Sequence, residues 1–166
     1  VSDPGHLLAA ADYYIQVIAH LRRQRPLDLL AFLHKNDQDD NSTVGASKLA
    51  GTICTDQSIW LPHIDVRLSS PLPHDKISTG DSRHMPTVLA GQKVAVVTDH
   101  VSGGDELFGV VAALQSRQAV VTDAITFSVW MDLFAEGKKD EFEEAGIEFH
   151  YICELRQTEG SEEIDL

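Results

Sequence analysis

The second half of the sequence alternates apolar runs of strand length with a helical pattern, and this order restricts the fold more than any other feature. A strand is predicted over Val94–Val97, and extended segments are predicted over 119–121 and 124–130. Between them, one helical face carries Leu107, Val110, Val111 and Leu114. Strands that alternate with helices are joined by right-handed crossovers and form a parallel sheet. We therefore predict an α/β fold, in which a mainly parallel sheet is flanked by helices.

The first half of the sequence fits the same architecture. Apolar residues recur at helical spacing at Leu7, Ala11, Tyr14, Ile18 and Leu21. Pro26 ends this helix, and the nearly continuous apolar run Leu27–Leu33 is typical of a strand that is buried on both faces. A second helix is predicted over 45–57. An edge strand is predicted over 147–152, where residues of alternating character follow a glycine.

Two polar stretches lie between these elements. Residues 34–43 are rich in Asp and Asn, and residues 69–86 contain turn formers throughout, so both are predicted to be loops. The second is long for a compact domain, and loops of that length are usually functional or disordered. Short extended segments are predicted at 59–61 and 64–68.

Length and charge limit what the chain can do. Its 166 residues suit one domain, which we place at 1–156, with an acidic tail at 157–166. The net charge of −13 argues against non-specific nucleic-acid binding, which depends on Lys and Arg. No apolar run is long enough to cross a membrane, and no polybasic patch would bind anionic lipid. The two cysteines form no Cys-x-x-Cys pair and no signal peptide is visible, so we expect a cytoplasmic protein.

The strongest local signal for chemistry is a strand that ends in a glycine turn and is followed by a helix. The strand and Asp99 precede Ser102, Gly103 and Gly104, and the helix follows at once. Ligands of open α/β sheets bind at the carboxyl ends of strands, where glycines let backbone amides approach a phosphate. An aspartate before the turn can accept hydrogen bonds from sugar hydroxyls. The pattern is equally compatible with an ordinary turn in which Asp99 is a local cap.

This turn and three further segments resemble the type I phosphoribosyltransferases, and orotate phosphoribosyltransferase in particular. Residues 91–99 with the glycine turn are similar to the family's phosphoribosyl-pyrophosphate motif. Residues 62–67 with His74 are similar to the opening of its mobile catalytic loop, and residues 44–50 to the end of its pyrophosphate loop. Residues 130–147 are similar to a fourth family segment. The four segments occur in the family's order, so the resemblance covers most of the chain.

The resemblance implies a role for each matching residue. Arg67 and His74 would be catalytic residues of the mobile loop, and Ser47 and Lys48 would belong to the pyrophosphate loop. The ribose and phosphate would be bound by Thr98, Asp99, Ser102, Gly103 and Gly104. The family also implies a homodimer in which each active site is completed by the partner's mobile loop. An active enzyme would use Mg²⁺ with phosphoribosyl pyrophosphate and a base such as orotate.

Several positions depart from the family's pattern, and the departures change the charge of the site. Thr98 replaces the first acidic residue of the motif, and Asp105 and Glu106 stand where small hydroxyl residues face the 5′-phosphate. The lysines of the mobile loop are missing between Arg67 and His74. Further departures are Leu133, in place of the arginine that contacts orotate, and Asp37, Asp39 and Asp40, in place of glycines. Charge stabilisation is usually the largest catalytic contribution.

These losses favour a non-catalytic homologue with an eroded site, which binds a ligand, regulates a partner or serves as a structural subunit. The alternative is an active phosphoribosyltransferase with an altered base.

Other features carry less weight. A metal site is the less favoured interpretation of the loop that contains His74, Asp75, Asp81 and His84, and no metal ligand is assigned. Trp60 and Trp130 are expected in the core or in an interface, and Cys54 is expected in the core.

Overall fold

Helices and strands alternate through the described part of this computed structural model, which comprises residues 4–34, 49–56, 59–67, 78–79, 88–130, 138–158 and 161–165. The helices are α1 (Pro4–Gln24), α2 (49–55), α3 (Asp105–Ser116) and α4 (Lys138–Glu144). The strands are β1 (Leu29–His34), β2 (His63–Arg67), β3 (Ser78–Thr79), β4 (Lys93–Val97), β5 (His100–Val101), β6 (Val120–Ile125), β7 (Ser128–Trp130), β8 (Glu148–His150), β9 (Cys153–Thr158) and β10 (Ser161–Asp165).

The main sheet contains six strands in the order β3-β2-β1-β4-β6-β8. Strand β1 pairs in parallel with β2 and β4, and β6 pairs in parallel with β4 and β8. Only the two-residue strand β3 is antiparallel to its described neighbour, β2. The predicted architecture, a mainly parallel sheet flanked by helices, is therefore confirmed, and β8 occupies the edge that the sequence predicts.

Both faces of this sheet are buried, which explains the continuous apolar runs in the sequence. In β4, Val94 and Val96 belong to one hydrophobic cluster, and Ala95 and Val97 belong to the other. Helices α3 and α4 contribute to the first cluster, whereas α1 and α2 contribute to the second. The carboxyl end of β4 thus emerges between two packed layers, and this fixes the position of the turn that follows it.

Three strands of the main sheet break at the same level and continue in a second sheet. After two residues each, β4, β6 and β8 give way to β5, β7 and β9, which form a sheet in the order β10-β9-β7-β5. At the breaks, the Thr98 N–H donates to the Ile125 carbonyl over 3.0 Å, and the Thr126 N–H donates to the His150 carbonyl over 2.9 Å. Neighbouring chains therefore stay hydrogen-bonded while the backbone turns out of the main sheet.

Two local expectations differ from the structure. The extended segment predicted at 59–61 contains a turn in which the Ile59 N–H donates to the Asp56 carbonyl over 3.2 Å. Trp60 follows with a φ of 39° and 82% of its surface exposed, so it is not a core residue. The long loop predicted at 69–86 contains β3, and its other residues lie outside the described part of the chain.

The acidic end of the chain takes part in a sheet. Strand β9 runs to Thr158, and β10 pairs with it in antiparallel register, with Ser161 opposite Thr158. The segment predicted to be an acidic tail therefore includes the second strand of a hairpin, while the division of the chain at 156 stays a prediction. Among the described helices, none is both long and apolar enough to span a membrane.

Candidate ligand-binding site at the β4–α3 turn

The segment between β4 and α3 makes the tight turn that its glycines predict. Gly104 adopts a φ of 82°, in the left-handed region, and immediately precedes α3. Glycine enters this region without the steric cost that a Cβ atom imposes. The Gly104 carbonyl accepts the first helical bond, from the Phe108 N–H over 2.9 Å, and no side chain caps the helix. The helix therefore begins directly at the glycine turn, and helix N-termini commonly bind anions.

This turn borders a cavity of about 230 Å³. Its lining includes His100, Ser102, Gly103, Gly104, Asp105 and Glu106. Three of the residues assigned to ribose and phosphate from the sequence, Ser102 to Gly104, thus lie together at its wall. A Cβ atom added to Gly103 would lie 3.8 Å from the nearest atom, an Asp105 carboxylate oxygen, which is an ordinary contact. A side chain at Gly103 would therefore fit without displacing its neighbours.

Thr98 lies inside the fold. Only 4% of its surface is exposed, and its backbone carbonyl accepts a hydrogen bond from the Tyr14 hydroxyl over 2.7 Å. Its side-chain hydroxyl is buried and has no hydrogen-bond partner among the described residues. The structure thus places Thr98 behind the turn, anchored to α1 through its backbone, and its contact with a ligand stays a prediction.

Asp99 lies half-buried at the break between β4 and β5. Its backbone carbonyl accepts a hydrogen bond from the Ser128 N–H over 3.4 Å, which ties it to β7. Burial raises the pKa of Tyr14 well above its ordinary value, and the Asp99 charge raises it further. The Asp99 carboxylate therefore lies close enough to the buried phenol to affect it, at the strand end where ligands of such sheets bind.

His100 is a cavity residue that the sequence did not single out. Its Nδ1 atom lies 2.9 Å from the Ser128 hydroxyl oxygen, since the two residues are register partners in β5 and β7. The residue lies between Asp99 and the glycine turn. Only the parallel pairing of β5 with β7 shows that its ring reaches the neighbouring strand. Sequence spacing alone contains no signal for that contact, because 28 positions separate the two residues.

The charge of this cavity is unusual for a phosphate site. Asp105 and Glu106 are both exposed in the first turn of α3, and no Lys or Arg is among the described lining residues. Carboxylates suit the positive end of a helix dipole when nothing else is bound there. Two like charges 4 Å apart, however, repel by about 4 kcal/mol at an effective dielectric constant near 20, so the same groups oppose a phosphate dianion.

The other predicted site residues are only partly described. Arg67 ends β2, where its backbone pairs with His34 on one side and with Ser78 on the other. His74, Ser47 and Lys48 lie outside the described part of the chain, and so do Leu133 and the three aspartates at 37, 39 and 40. The roles of all these residues stay predictions, and the site that the structure builds is the β4–α3 turn.

The fold agrees with that of several solved structures. An adenine phosphoribosyltransferase from Trypanosoma brucei, solved with AMP, pyrophosphate and ribose-5-phosphate, matches with a TM-score of 0.62 at 14% identity over 92% of this chain. The chain has the type I phosphoribosyltransferase fold. It spans 65% of the length of the Trypanosoma brucei chain.

Other structures with this fold give the same result. The adenine phosphoribosyltransferase of Thermoanaerobacter pseudethanolicus matches with a TM-score of 0.56 at 19% identity, over 89% of this chain and 81% of the other. A phosphoribosyltransferase from Corynebacterium diphtheriae matches with a TM-score of 0.55 at 23% identity, over 84% of this chain and 71% of the other. No protein-family model and no curated protein sequence matches the chain. Two of these three neighbours are adenine phosphoribosyltransferases and the third is named without a base, so none of them supports orotate as the base.

Proposed function

We propose that this chain is a non-catalytic protein with the phosphoribosyltransferase fold that binds a ribose-containing ligand at the β4–α3 turn. The observation that carries the proposal is the contrast within the turn itself. Its backbone is shaped to receive a ligand, with Gly104 in the left-handed region immediately before the start of α3. Its side chains, Asp105 and Glu106, oppose the phosphate that this backbone would otherwise attract.

Asp99 is the residue we assign to the ribose. It stands at the carboxyl end of β4, in the break before β5, where a carboxylate can accept hydrogen bonds from two sugar hydroxyls. The preceding Thr98 is buried and brings no charge to help it. A ligand that offers ribose hydroxyls without a 5′-phosphate, such as a nucleoside, would use Asp99 and avoid repulsion from the first turn of α3.

Calorimetry at low salt tests this proposal. We expect phosphoribosyl pyrophosphate with Mg²⁺, and ribose 5-phosphate alone, to bind weakly or not at all. In the variant Asp105→Ser/Glu106→Thr, affinity for ribose 5-phosphate should rise by about tenfold to a hundredfold, because two repelling charges have been removed. The variant Glu143→Ser/Glu144→Thr is the matched control. It removes the same charge from exposed positions of α4 and should leave affinity unchanged.

Two results would contradict the proposal. A micromolar dissociation constant of the unmodified protein for phosphoribosyl pyrophosphate would show that the carboxylates do not block the phosphate. A folded Asp105→Ser/Glu106→Thr variant that gains no affinity would show that the turn is only a connection between two elements.

The second candidate function is active phosphoribosyl transfer with Mg²⁺ and an altered base. The intact glycine turn favours it, since the backbone needed to hold a phosphate is present. Turnover with phosphoribosyl pyrophosphate, tried with both adenine and orotate, separates the two functions. If either base reacts, Asp99→Asn should lower the rate, and Arg67 and Lys48 are the next residues to replace. The proposed homodimer is tested by sedimentation of the full chain.

A further inference from the structure

A second cavity lies beside α1, on the opposite face of the main sheet from α3. It is a groove of about 540 Å³, a volume within the range of small-molecule sites. Its polar lining consists of Tyr13, Gln16, His20 and Arg23 from α1 and His150 from β8. We call it the α1 groove. It shares no lining residue with the cavity at the β4–α3 turn.

The α1 groove differs in charge from the molecule as a whole. The chain has a net charge of −13, yet the described lining of the groove contains neither Asp nor Glu. His20 and Arg23 are three positions apart on one helix, so their side chains are neighbours on its surface. In the described part of the chain, neither forms a hydrogen bond or an ion pair. Both side chains are therefore available to an anionic group.

Two carboxylates lie next to His150, and both are paired with the same arginine. The Arg25 guanidinium binds Asp123 and also Glu148, the latter over 2.7 Å. His150 Nε2 donates to the Asp123 carboxylate over 2.9 Å, and the Thr122 hydroxyl donates to its other oxygen over 2.7 Å. Asp123 has 1% of its side chain exposed, so it presents almost no surface to the groove.

The same cluster does not make a convincing metal site. Ligand atoms of Asp123, Glu148 and His150 lie within 4.8 Å of one another, as a metal would require. The guanidinium of Arg25, however, already bonds to both carboxylates, and a divalent cation would have to displace that positive charge. The cluster instead supports the wall of the groove by fixing the His150 ring.

The rest of the lining suits an apolar body. Val17, Ala19 and Leu21 line the groove between its two ends. From Tyr13 to Arg23 the helix rises by about 15 Å, enough for an aromatic ring with a short chain. Tyr13 lies at the end away from Arg23. Burial raises the pKa of Tyr13 to about 12, so its hydroxyl remains a neutral hydrogen-bond donor at physiological pH.

We propose that the α1 groove binds a small amphipathic anion, whose carboxylate or phosphate contacts His20 and Arg23 and whose apolar body lies along α1 towards Tyr13. The carboxylate and the phosphate monoester share the chemistry that the groove recognises. This inference is independent of the proposed function, because the two cavities lie on opposite faces of the sheet and have different residues.

The test uses the full chain and three probes of one size: phenyl phosphate, phenylacetate and the neutral benzyl alcohol. Binding is measured by calorimetry, and its site is identified by the variants that follow. We expect saturable binding of at least one anion and none of benzyl alcohol; the stronger anion identifies the head group. In Arg23→Gln, affinity for that anion should fall about tenfold, as expected when a hydrogen bond to a charged group is lost. His20→Gln should weaken it by a smaller factor.

Arg117→Gln is the matched control, since Arg117 is an exposed arginine at the end of α3, on the other face of the sheet. It should bind both anions like the unmodified protein. Absence of saturable binding by either anion would overturn the proposal. Equal losses in Arg23→Gln and Arg117→Gln would also overturn it, because they would indicate a general effect of net charge. Circular dichroism checks that each variant is folded. If Arg23→Gln abolishes a dimer of the unmodified protein, the groove binds a second copy of the chain, and the proposal is overturned.

Discussion

The cavity at the β4–α3 turn and the α1 groove are built in opposite ways. The first is shaped by backbone, through the left-handed Gly104 and the start of α3, and its charged side chains, Asp105 and Glu106, are acidic. The second is shaped by side chains, and its charged residue is Arg23, with two histidines beside it. A backbone-made site can keep its shape when its side chains change, whereas a site made of side chains depends on what holds them in place. The side chains that can attract an anion therefore line the α1 groove, whereas the β4–α3 turn has only the backbone of a phosphate site.

The largest expected effect comes from removing the support behind the groove. Asp123→Ala leaves His150 and Thr122 without their buried acceptor, and each hydrogen bond lost to a buried charged group costs about 1.5–3 kcal/mol. We expect urea denaturation to show a loss of stability of that order. Glu148→Gln is the control, since Glu148 is 58% exposed and should contribute less than about 1 kcal/mol. Similar losses from the two variants would show that the buried carboxylate is not the centre of the cluster.

The same carboxylate predicts how stability depends on acid. Burial favours the neutral form of Asp123, but hydrogen bonds from His150 and Thr122 and the charge of Arg25 outweigh it, so its pKa lies below the ordinary value of 3.8. Its contribution is therefore fully present above pH 3.8 and is lost as the pH falls through the lowered value. Denaturation of the unmodified protein should show this acid loss, and Asp123→Asn should flatten it. If the stability of Asp123→Asn falls at low pH as much as that of the unmodified protein, other groups cause the loss of stability.

A smaller effect tests the backbone side of the comparison. Gly104→Ala puts a Cβ atom on a left-handed residue, which costs about 1–2 kcal/mol for an L-amino acid. Gly51→Ala is the matched control, because Gly51 lies in α2 with nothing within 4 Å of an added Cβ. It should stabilise the protein by about 0.5–1 kcal/mol. If both variants change the melting temperature in the same direction, the left-handed turn does not contribute to the cavity's rigidity.

The smallest expected effect concerns Thr98. Its buried hydroxyl has no partner among the described residues, so Thr98→Val removes a polar atom without breaking a side-chain hydrogen bond. Stability should stay equal or rise by about 1 kcal/mol, because an unsatisfied buried group costs about that much. A clear loss of stability would mean that the hydroxyl has a partner in the folded protein, and the turn would then depend on a side chain as the groove does.

Much of the fold follows from the sequence, because it depends on apolar periodicity. The run Leu27–Leu33 predicts β1 to within two residues, and the spacing of Leu107 and Leu114 predicts the buried face of α3. The glycine turn was also predictable, since few residues other than glycine adopt the backbone seen at Gly104. Local pattern is a good guide where burial on both faces of a sheet leaves little choice of residue.

Contacts between distant segments could not be predicted in this way. Arg25 follows α1 as one of several arginines, and nothing local shows that it meets Asp123 and Glu148. Likewise, tryptophan is a residue type expected in a core, but the turn before β2 leaves Trp60 exposed. The α1 groove itself depends on His150 of β8 lying beside α1, and only the folded structure shows that this strand and this helix are neighbours.

The burial of Tyr13 and Tyr14 has a consequence for how unfolding at alkaline pH can be followed. The chain contains three tyrosines, and the pKa of each is raised: Tyr13 by burial, Tyr14 by burial and the Asp99 charge, and Tyr151 by its bond to Glu154 and by burial. In the unfolded chain all three would ionise near pH 10. Raised values mean that their stabilising contribution is present below pH 10 and is lost as the pH climbs through them. Phenolate absorbance from Tyr13 and Tyr14 that develops near pH 10 would therefore come from unfolded molecules, which makes it an optical signal of alkaline unfolding that needs no added dye.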